Sequence, residues 1–277
     1  MKINALILLL LLSTTIALAQ KKEKIKGSKT VTIEQREIGN FENLEVEDNL
    51  EIYLEKGETN SLKIEADDNL QAIISADLSD KTLRLYTTKE ATNYKKIIVR
   101  VTYTNDLTMV TSKNETTINA IQEIELEDIT FKTFDSSKLF LNINTTNFLL
   151  QADDKSKMEL NIKSENTTLE LTKNVTVKAL ISSLTLNCDL YQKSTAILEG
   201  DVTNAIIRLD NNSVLTGNKL NLKNADLTTE AYSSCSVFVE TNLIVDAGNN
   251  SEIQLLGTPT IEIRKFADEA KLIKKLK

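Results

Sequence analysis

The stretch Asp135-Ser136-Ser137-Lys138-Leu139-Phe140-Leu141 decides the fold, because a variant of it returns as Asp154-Lys155-Ser156-Lys157-Met158-Glu159-Leu160. In each stretch a short polar turn ends in Ser, and apolar residues then alternate with polar ones. Further copies are Gln192-Lys193-Ser194-Thr195-Ala196-Ile197-Leu198, Asn211-Asn212-Ser213-Val214-Leu215, Tyr232-Ser233-Ser234-Cys235-Ser236-Val237-Phe238 and Asn249-Asn250-Ser251-Glu252-Ile253-Gln254-Leu255. Alternation with a period of two is typical of a strand with one buried face. Each copy therefore predicts a turn followed by a strand.

The copies are regularly spaced. Their serines lie at positions 137, 156, 194, 213, 234 and 251, so the successive steps are 19, 38, 19, 21 and 17. The step of 38 is twice 19, which places a degenerate copy near Asn174-Val175-Thr176-Val177. A repeat of about 20 residues indicates units that bury their apolar faces only by stacking on one another. Because the units contain strands and no helix, we predict an all-β fold, a right-handed parallel β-helix or solenoid.

The first half of the chain alternates in the same way, for example in Leu50-x-Ile52-x-Leu54 and Ile97-x-Val99-x-Val101-x-Tyr103. We expect irregular N-terminal strands there, ahead of the regular coils. The alternative is an antiparallel β-sandwich, for which Asn-Gly or Asp-Gly hairpins are the clearest signal. Neither dipeptide occurs, and Gly39-Asn40, Gly217-Asn218 and Gly248-Asn249 are weaker hairpin candidates.

The turns of this chain must be made mostly without glycine and proline, since it contains seven Gly and one Pro. Asn and Asp also tolerate left-handed backbone, and their side chains can bond their own turn. The repeat turns carry them, as in Asp153-Asp154, Asn211-Asn212 and Asn249-Asn250. Stacking would set like residues above one another, so Asn, Ser and Thr can bond along a ladder. We therefore interpret the polar clusters as structural.

The composition excludes several kinds of chemistry. The 277 residues include no His, and 33 basic against 40 acidic residues give a net charge of −7. Without His the chain lacks the commonest general base and the commonest metal ligand, and two cysteines cannot complete a zinc site. We therefore predict no catalytic residues, no metal and no cofactor. The negative charge argues against a nucleic-acid partner.

The segment from Met1 to Ala19 has the pattern of a signal peptide. Lys2 is followed by an apolar run from Leu6 to Leu12, and Ala17-Leu18-Ala19 matches the small-residue cleavage pattern. The run is too short to span a bilayer, and nothing of membrane-spanning length follows. We therefore expect cleavage after Ala19 and export to the periplasm, the outer surface or the medium.

The rest of the chain divides into three parts. We expect residues 20–37 to be a solvated leader and residues 38–265 to form a single β-helical domain. Residues 266–277 are expected to be a basic cap or tail, because Phe266, Ala270 and Ile273 recur at helical spacing in a lysine-rich segment. A short amphipathic helix would cover the last coil, and a basic interaction surface is the alternative.

The two cysteines are predicted to be free thiols. Cys188 and Cys235 are separated by 47 positions, about 2.5 coils at the repeat spacing. Coils about 4.8 Å apart place them about 12 Å apart along the axis, beyond the reach of a disulfide. Cys188 alternates with Leu184 and Leu186, which predicts a small core residue.

The sequence resembles the bacterial exported domain of unknown function labelled "putative auto-transporter adhesin, head GIN domain". The resemblance rests on Phe41-x-x-Leu44-x-Val46, on Leu50-x-Ile52-x-Leu54-x-x-Gly57, and above all on Ser251-x-Ile253-x-Leu255-x-Gly257-x-Pro259. It covers roughly residues 38–265. The family usually has Gly-Ala-Ser where this chain has Asp-Ser-Ser, Asp-Lys-Ser or Asn-Asn-Ser. The resemblance implies an exported β-helical protein of Gram-negative bacteria and no established activity.

Three functions follow from these observations. The first is a non-catalytic adhesin or binding module for a glycan or a cell-envelope protein, since solenoids present long regular faces. The second is a polysaccharide lyase or hydrolase, for which Asp67-Asp68 and Asp153-Asp154 are the candidate acid pairs; we interpret both pairs as turns. The third is a structural envelope protein that assembles end to end. An exposed row of aromatic residues or a convergent acid cluster would identify a binding face.

Overall fold

The computed structural model describes residues 22–275, so the predicted signal peptide lies outside the described residues. The N-terminal strands are β1 (Lys24–Lys26), β2 (Val31–Glu37), β3 (Asn43–Val46), β4 (Glu51–Lys56), β5 (Ser61–Asp67), β6 (Ile74–Ser79), β7 (Thr82–Thr87), β8 (Glu90–Thr92), β9 (Ile97–Tyr103) and β10 (Met109–Ser112). The long strands are β11 (Thr117–Thr133), β12 (Lys138–Ala152), β13 (Lys157–Leu171), β14 (Thr176–Leu190), β15 (Thr195–Leu209), β16 (Val214–Thr229) and β17 (Ser234–Ala247). The last strands are β18 (Glu252–Leu256), β19 (Thr260–Phe266) and β20 (Lys271–Lys274), and one short 3-10 helix spans Asp68–Ile73.

The strands form a β-solenoid of about nine turns, as the repeat in the sequence predicts. Each long strand pairs in parallel with the next, so that Leu139, Met158, Val177 and Ala196 lie in one ladder. The alternative of an antiparallel sandwich is wrong. Antiparallel pairs occur, within the described residues, between β2 and β5, β5 and β9, and β6 and β7. The expectation of irregular N-terminal strands is therefore confirmed.

Each coil closes through a turn of two consecutive left-handed residues, for example Asp154 with φ 50° and Lys155 with φ 61°. The residue that follows is buried, and at the corners of Ser156, Ser194 and Ser213 its hydroxyl donates back across the turn. Ser156 Oγ donates to the Asp153 carbonyl oxygen at 2.7 Å, and Ser194 Oγ donates to that of Tyr191 at 2.7 Å. At these three corners the hydrogen bond gives the turn carbonyl a partner, which favours serine there. The Ser137 hydroxyl has no hydrogen-bond partner within residues 22–275.

The structure also corrects the repeat at one copy. The degenerate copy is the turn Lys173-Asn174, followed by a buried Val175. In the copy near Ser234, the left-handed pair is Ala231 and Tyr232, so the buried serine is Ser233 and not Ser234. The buried corner position therefore recurs at residues 137, 156, 175, 194, 213 and 233. The step between successive corners is 19 residues four times and then 20.

Each long strand contains two straight runs that lie on different sides of the coil. In β13 the first run, residues 157–164, pairs with β12 and β14, Glu165 is left out of the register, and the second run resumes at Asn166. The equivalent unpaired positions are Thr146, Leu184, Thr203 and Lys223. Alternate residues of both runs point inward and form one continuous apolar core. The unpaired positions mark a bend that repeats in every coil.

Both termini of the described chain differ from expectation. β1 pairs with β8, and β2 pairs along its whole length with β5, so the fold begins before residue 38. The predicted C-terminal helix is wrong, since residues 260–266 and 271–274 are strands. Their left-handed turn at Asp268 and Glu269 repeats the coil corner. The helical spacing of Phe266, Ala270 and Ile273 arises from two short strands around that turn.

Cys188 and Cys235 are both buried and free. Cys188 lies in a second-run ladder beside Leu169 and Ile207, which confirms it as a core residue. Cys235 lies in a first-run ladder, opposite Leu215. The two thiols are therefore separated by their side of the coil as well as by axial distance. No helix among residues 22–275 is long and apolar enough to cross a membrane.

Candidate binding surface

The acid pair Asp67-Asp68 serves the structure at the end of β5. The buried Asp67 carboxylate accepts backbone N–H bonds from Lys29 at 2.8 Å and from Lys95 and Lys96, both at 3.1 Å. Burial raises the pKa of Asp67, but these three donors outweigh it, so the pKa lies below its usual value. Gly27 packs so closely that a Cβ there would lie 2.3 Å from an Asp67 carboxylate oxygen. Asp67 therefore holds two N-terminal loops together.

The pair Asp153-Asp154 forms a coil corner, as we interpreted it. Asp153 accepts a hydrogen bond from Lys173 Nζ at 2.8 Å and another from the backbone N–H of Asp154 at 2.7 Å. Asp154 is the first left-handed residue of the turn. Among residues 22–275, no group of three His, Cys, Asp or Glu residues is placed to hold a metal ion.

Within residues 22–275 the exposed aromatic side chains do not form a row along the solenoid. Phe140 has Asn119 and Glu159 as its ladder neighbours. Phe266 pairs with Ala247 near the C-terminal end, and Tyr232 lies at a coil corner. A stack of aromatic rings therefore does not mark the binding face.

A polar groove follows the bend between the two runs, and we call it the corner groove. Its larger section has a volume of about 840 Å³. A second section of about 370 Å³ shares Ser164 and Ser182 with the first, so the two are continuous. The polar lining residues are Asn105, Glu125, Glu127, Asn144, Thr145, Thr146, Lys163, Ser164, Glu165, Ser182, Ser183, Asp201, Thr203, Asn221, Lys223 and Glu240. The groove therefore crosses successive coils parallel to the solenoid axis.

The groove exists because small polar residues replace large apolar ones in a single inward ladder. Thr145, Ser164 and Ser183 occupy successive positions of this ladder, and the next position is Val202. The hydroxyls of Ser164, Thr167 and Ser183 lie 2.6–2.8 Å from one another. These three hydroxyls satisfy one another, so this part of the wall is recessed without leaving them unpaired. The buried Thr145 hydroxyl has no hydrogen-bond partner within the described residues.

The rim of the groove carries more acid than base. Its acidic residues are Glu125, Glu127, Glu165, Asp201 and Glu240, and its basic residues are Lys163 and Lys223. Lys163 already contacts Glu123, with 3.3 Å between Nζ and Oε1. The groove therefore presents a negative field to a ligand.

An asparagine ladder borders the groove on the side of the second run. Asn166 Nδ2 donates to Asn147 Oδ1 at 2.9 Å, and Asn224 Nδ2 donates to Asn204 Oδ1 at 3.0 Å. Asn242 continues the ladder with a bond of 2.8 Å to Asn224. Stacked Asn bonding is confirmed, but it lies at the bend and not at the left-handed turns. The regular step of these asparagines, which matches that of the serines, could have identified the ladder from the sequence.

Comparison with solved structures supports the same fold. A protein described as a putative adhesin from Parabacteroides merdae matches with a TM-score of 0.66 and 14% identity, over 92% of this chain and 100% of that one. A putative adhesin from Parabacteroides distasonis matches with a TM-score of 0.69 and 12% identity, over 91% and 100% of the two chains. A protein described as a putative lipid binding protein, also from Parabacteroides distasonis, gives 0.60 and 13% over 92% and 100%.

A search among curated proteins found no match. The profile of the family described as "Putative auto-transporter adhesin, head GIN domain" matches residues 40–161 and again residues 158–259. The two matches span most of the chain and include the closing motif around Gly257. This chain therefore belongs to the family of the putative auto-transporter adhesin, head GIN domain.

Proposed function

We propose that this chain is an exported, non-catalytic binding module that holds a neutral, extended glycan in the corner groove. The observation that carries the proposal is the continuity of the groove across successive coils. Coils in a parallel solenoid repeat every ~4.8 Å, close to the length of one sugar unit in an extended chain. A polymer along the axis would therefore meet a similar set of hydroxyl, amide and carboxylate groups at each unit.

The charge of the groove favours a neutral glycan over an anionic one. Five carboxylates against two lysines would repel a uronic-acid polymer. Sugar hydroxyls can donate to Glu165 and Asp201 and accept from Asn144 and Asn221. Without an aromatic row, binding would depend on hydrogen bonds in an open groove. We therefore expect weak binding to each repeat of the polymer and tighter binding to long chains.

Two lines of argument support a non-catalytic role. The two acid pairs that the sequence offers for a hydrolase serve the structure instead, since Asp67 binds backbone N–H groups and Asp153 binds Lys173. The family to which the chain belongs bears an adhesin label. Export is supported by the Ala17-Leu18-Ala19 cleavage pattern.

The test is binding of the protein without its signal sequence to neutral and anionic polysaccharides, by affinity electrophoresis. Ser182 lines both sections of the groove, so Ser182→Arg should block it and reduce retention at least about tenfold. Thr176→Arg is the matched control, because Thr176 starts the same run of the same strand, away from the groove. If neutral polymers are not retained, or if both variants bind equally, the proposal is wrong.

A second candidate is an apolar ligand, favoured by a shallow hollow of about 520 Å³ near the C-terminal end. In this ladder Leu186 and Leu243 occupy the inward position in the outer coils, and Ala205 and Ala225 occupy it in the two coils between them. The surface is recessed there because alanine is smaller than leucine. Ile206 and Ile244 flank it. Fatty-acid binding that is abolished in Ala225→Leu and unchanged in Ser182→Arg would favour this candidate over the glycan.

A further inference from the structure

The C-terminal end of the solenoid exposes the apolar core. Ile261, Ile263 and Phe266 of β19 continue the inward ladders of Leu243, Val245 and Ala247. The three residues of β17 are completely buried, whereas Ile261 is 42% exposed, Ile263 is 53% exposed and Phe266 is 44% exposed. They continue the core, and within residues 22–275 no further coil covers them.

The backbone at this end is also prepared for another strand. Among the described residues, β19 pairs with β17 alone and β20 pairs with β18 alone. At each corner the second left-handed residue donates its N–H to the next coil, as Asn250 donates to the Asp268 carbonyl at 2.8 Å. Glu269 occupies the donor position of the last corner. The end therefore has the form of a template for strand addition.

The N-terminal end has two free strand edges of its own. β2 pairs with β5 alone and β6 pairs with β7 alone, within residues 22–275. β2 covers the core with Thr32, Glu34 and Arg36, which stand opposite the buried Ala66, Ile64 and Leu62. Two large apolar side chains remain exposed at this end, Ile33 of β2 at 61% and Leu78 of β6 at 42%.

The two ends carry opposite charge. Residues 31–37 and 74–80 contain four acidic residues and one Arg, whereas residues 260–275 contain five basic and three acidic residues. Glu37 at the first end and Lys271 at the second make no ion pair within the described chain. If two C-terminal ends met, Lys271 and Lys274 of one copy would face the same lysines of the other and repel them. If a C-terminal end met an N-terminal end, the lysines would face carboxylates and attract them.

We propose that copies of this chain stack head to tail, with the C-terminal end of one seated on the N-terminal end of the next. Strand β20 then adds to the β2 edge, where Ile273 meets Ile33 and the lysines of β20 meet Glu34 and Glu37. Strand β19 adds to the β6 edge, so that Ile261 and Ile263 cover Leu78 and Lys265 approaches Asp77. The contact is heterologous, so it generates an open fibre along the solenoid axis. It leaves the corner groove free.

The test is the concentration dependence of mass by light scattering and sedimentation. The wild-type protein should grow beyond two chains as its concentration rises. Ile263→Lys blocks the C-terminal end and Ile33→Lys blocks the N-terminal end, and each should raise the dissociation constant at least about 100-fold, because it brings an unpaired charge into the contact. Circular dichroism confirms that both variants fold.

Mixing the two variants identifies the geometry. Each variant should be a monomer alone, and an equimolar mixture should form a dimer and nothing larger, because one intact end of each kind remains. A mass that stops at two chains and is lost in Ile263→Lys but kept in Ile33→Lys would show a contact between two C-terminal ends and overturn the proposal. A wild-type mass of one chain at all concentrations would also overturn it, without bearing on glycan binding.

Discussion

The two ends of this solenoid bury the same kind of core in different ways. At the N-terminal end the chain reverses direction, and the antiparallel strand β2 lays polar side chains over Leu62, Ile64 and Ala66, which are completely buried. At the C-terminal end no described strand lies over the last parallel coil, and Ile261 and Ile263 are about half exposed. A reversal closes a solenoid because the returning strand need not repeat the apolar pattern of the coil. A parallel coil without such a returning strand exposes the apolar side chains of its last inward ladder.

The largest expected effect comes from truncating an isoleucine at each end. Ile64→Ala removes a fully buried side chain between β2 and β9 and should lower the free energy of unfolding by about 2–5 kcal/mol. Ile263→Ala removes a side chain that is half in solvent and should cost less than about 1 kcal/mol. Urea unfolding at protein concentrations too low for stacking measures both. Equal losses would mean that the two ends are covered alike.

Acid should weaken the N-terminal end through Asp67. Its pKa is lowered in the folded protein by three backbone donors, so its contribution to stability is present above the unfolded pKa of about 3.9. That contribution is lost as the pH falls through the lower folded value. Asp67→Asn should destabilise the protein at neutral pH and flatten the pH dependence of the urea midpoint below about pH 4.

Hydrogen exchange locates the same effect. The amides of Lys29, Lys95 and Lys96 should exchange faster in Asp67→Asn, because the carboxylate that accepts them is lost. Asp68→Asn is the matched control, since Asp68 is exposed and binds Ser28 at the surface. If the control variant changes the same amides equally, the buried carboxylate does not hold these loops.

The two cysteines report how far opening spreads from the C-terminal end. Burial raises the pKa of Cys188, and it raises the pKa of Cys235 to about 12, so neither thiol reacts in the closed coil. In its ladder Cys235 is followed by Ile253 and then Leu272 of the last strand. Fraying of β20 and β18 should therefore expose Cys235 first. Alkylation followed by mass spectrometry should label Cys235 faster than Cys188, and the opposite order would place the weakest coils elsewhere.

The sequence predicts the coil well and its special features poorly. Alternation and the serine step determine the ladders, because a repeated pattern has one way to stack. The C-terminal helix was wrongly predicted because Phe266, Ala270 and Ile273 have helical spacing in the sequence. That spacing arises by chance, since a turn at Asp268 and Glu269 separates two short strands. The corner groove could not be predicted, because the unpaired bend residues, such as Thr146, Glu165 and Leu184, share no residue type. The depth of the groove depends on the small side chains of one inward ladder. Only the pairing register of the strands shows that these side chains are neighbours.

The smallest expected effect tests whether the asparagine ladder strengthens the coil between the two ends. The ladder runs through Asn147, Asn166, Asn204 and Asn224, and Thr185 interrupts it. Thr185→Asn should restore a continuous set of side-chain amide bonds and raise the free energy of unfolding by about 0.5–1 kcal/mol. Thr176→Asn, at an outward position of the same strand without asparagine neighbours, should change it by less than about 0.5 kcal/mol. Equal effects in urea unfolding would mean that these amides bond to water as favourably as to one another.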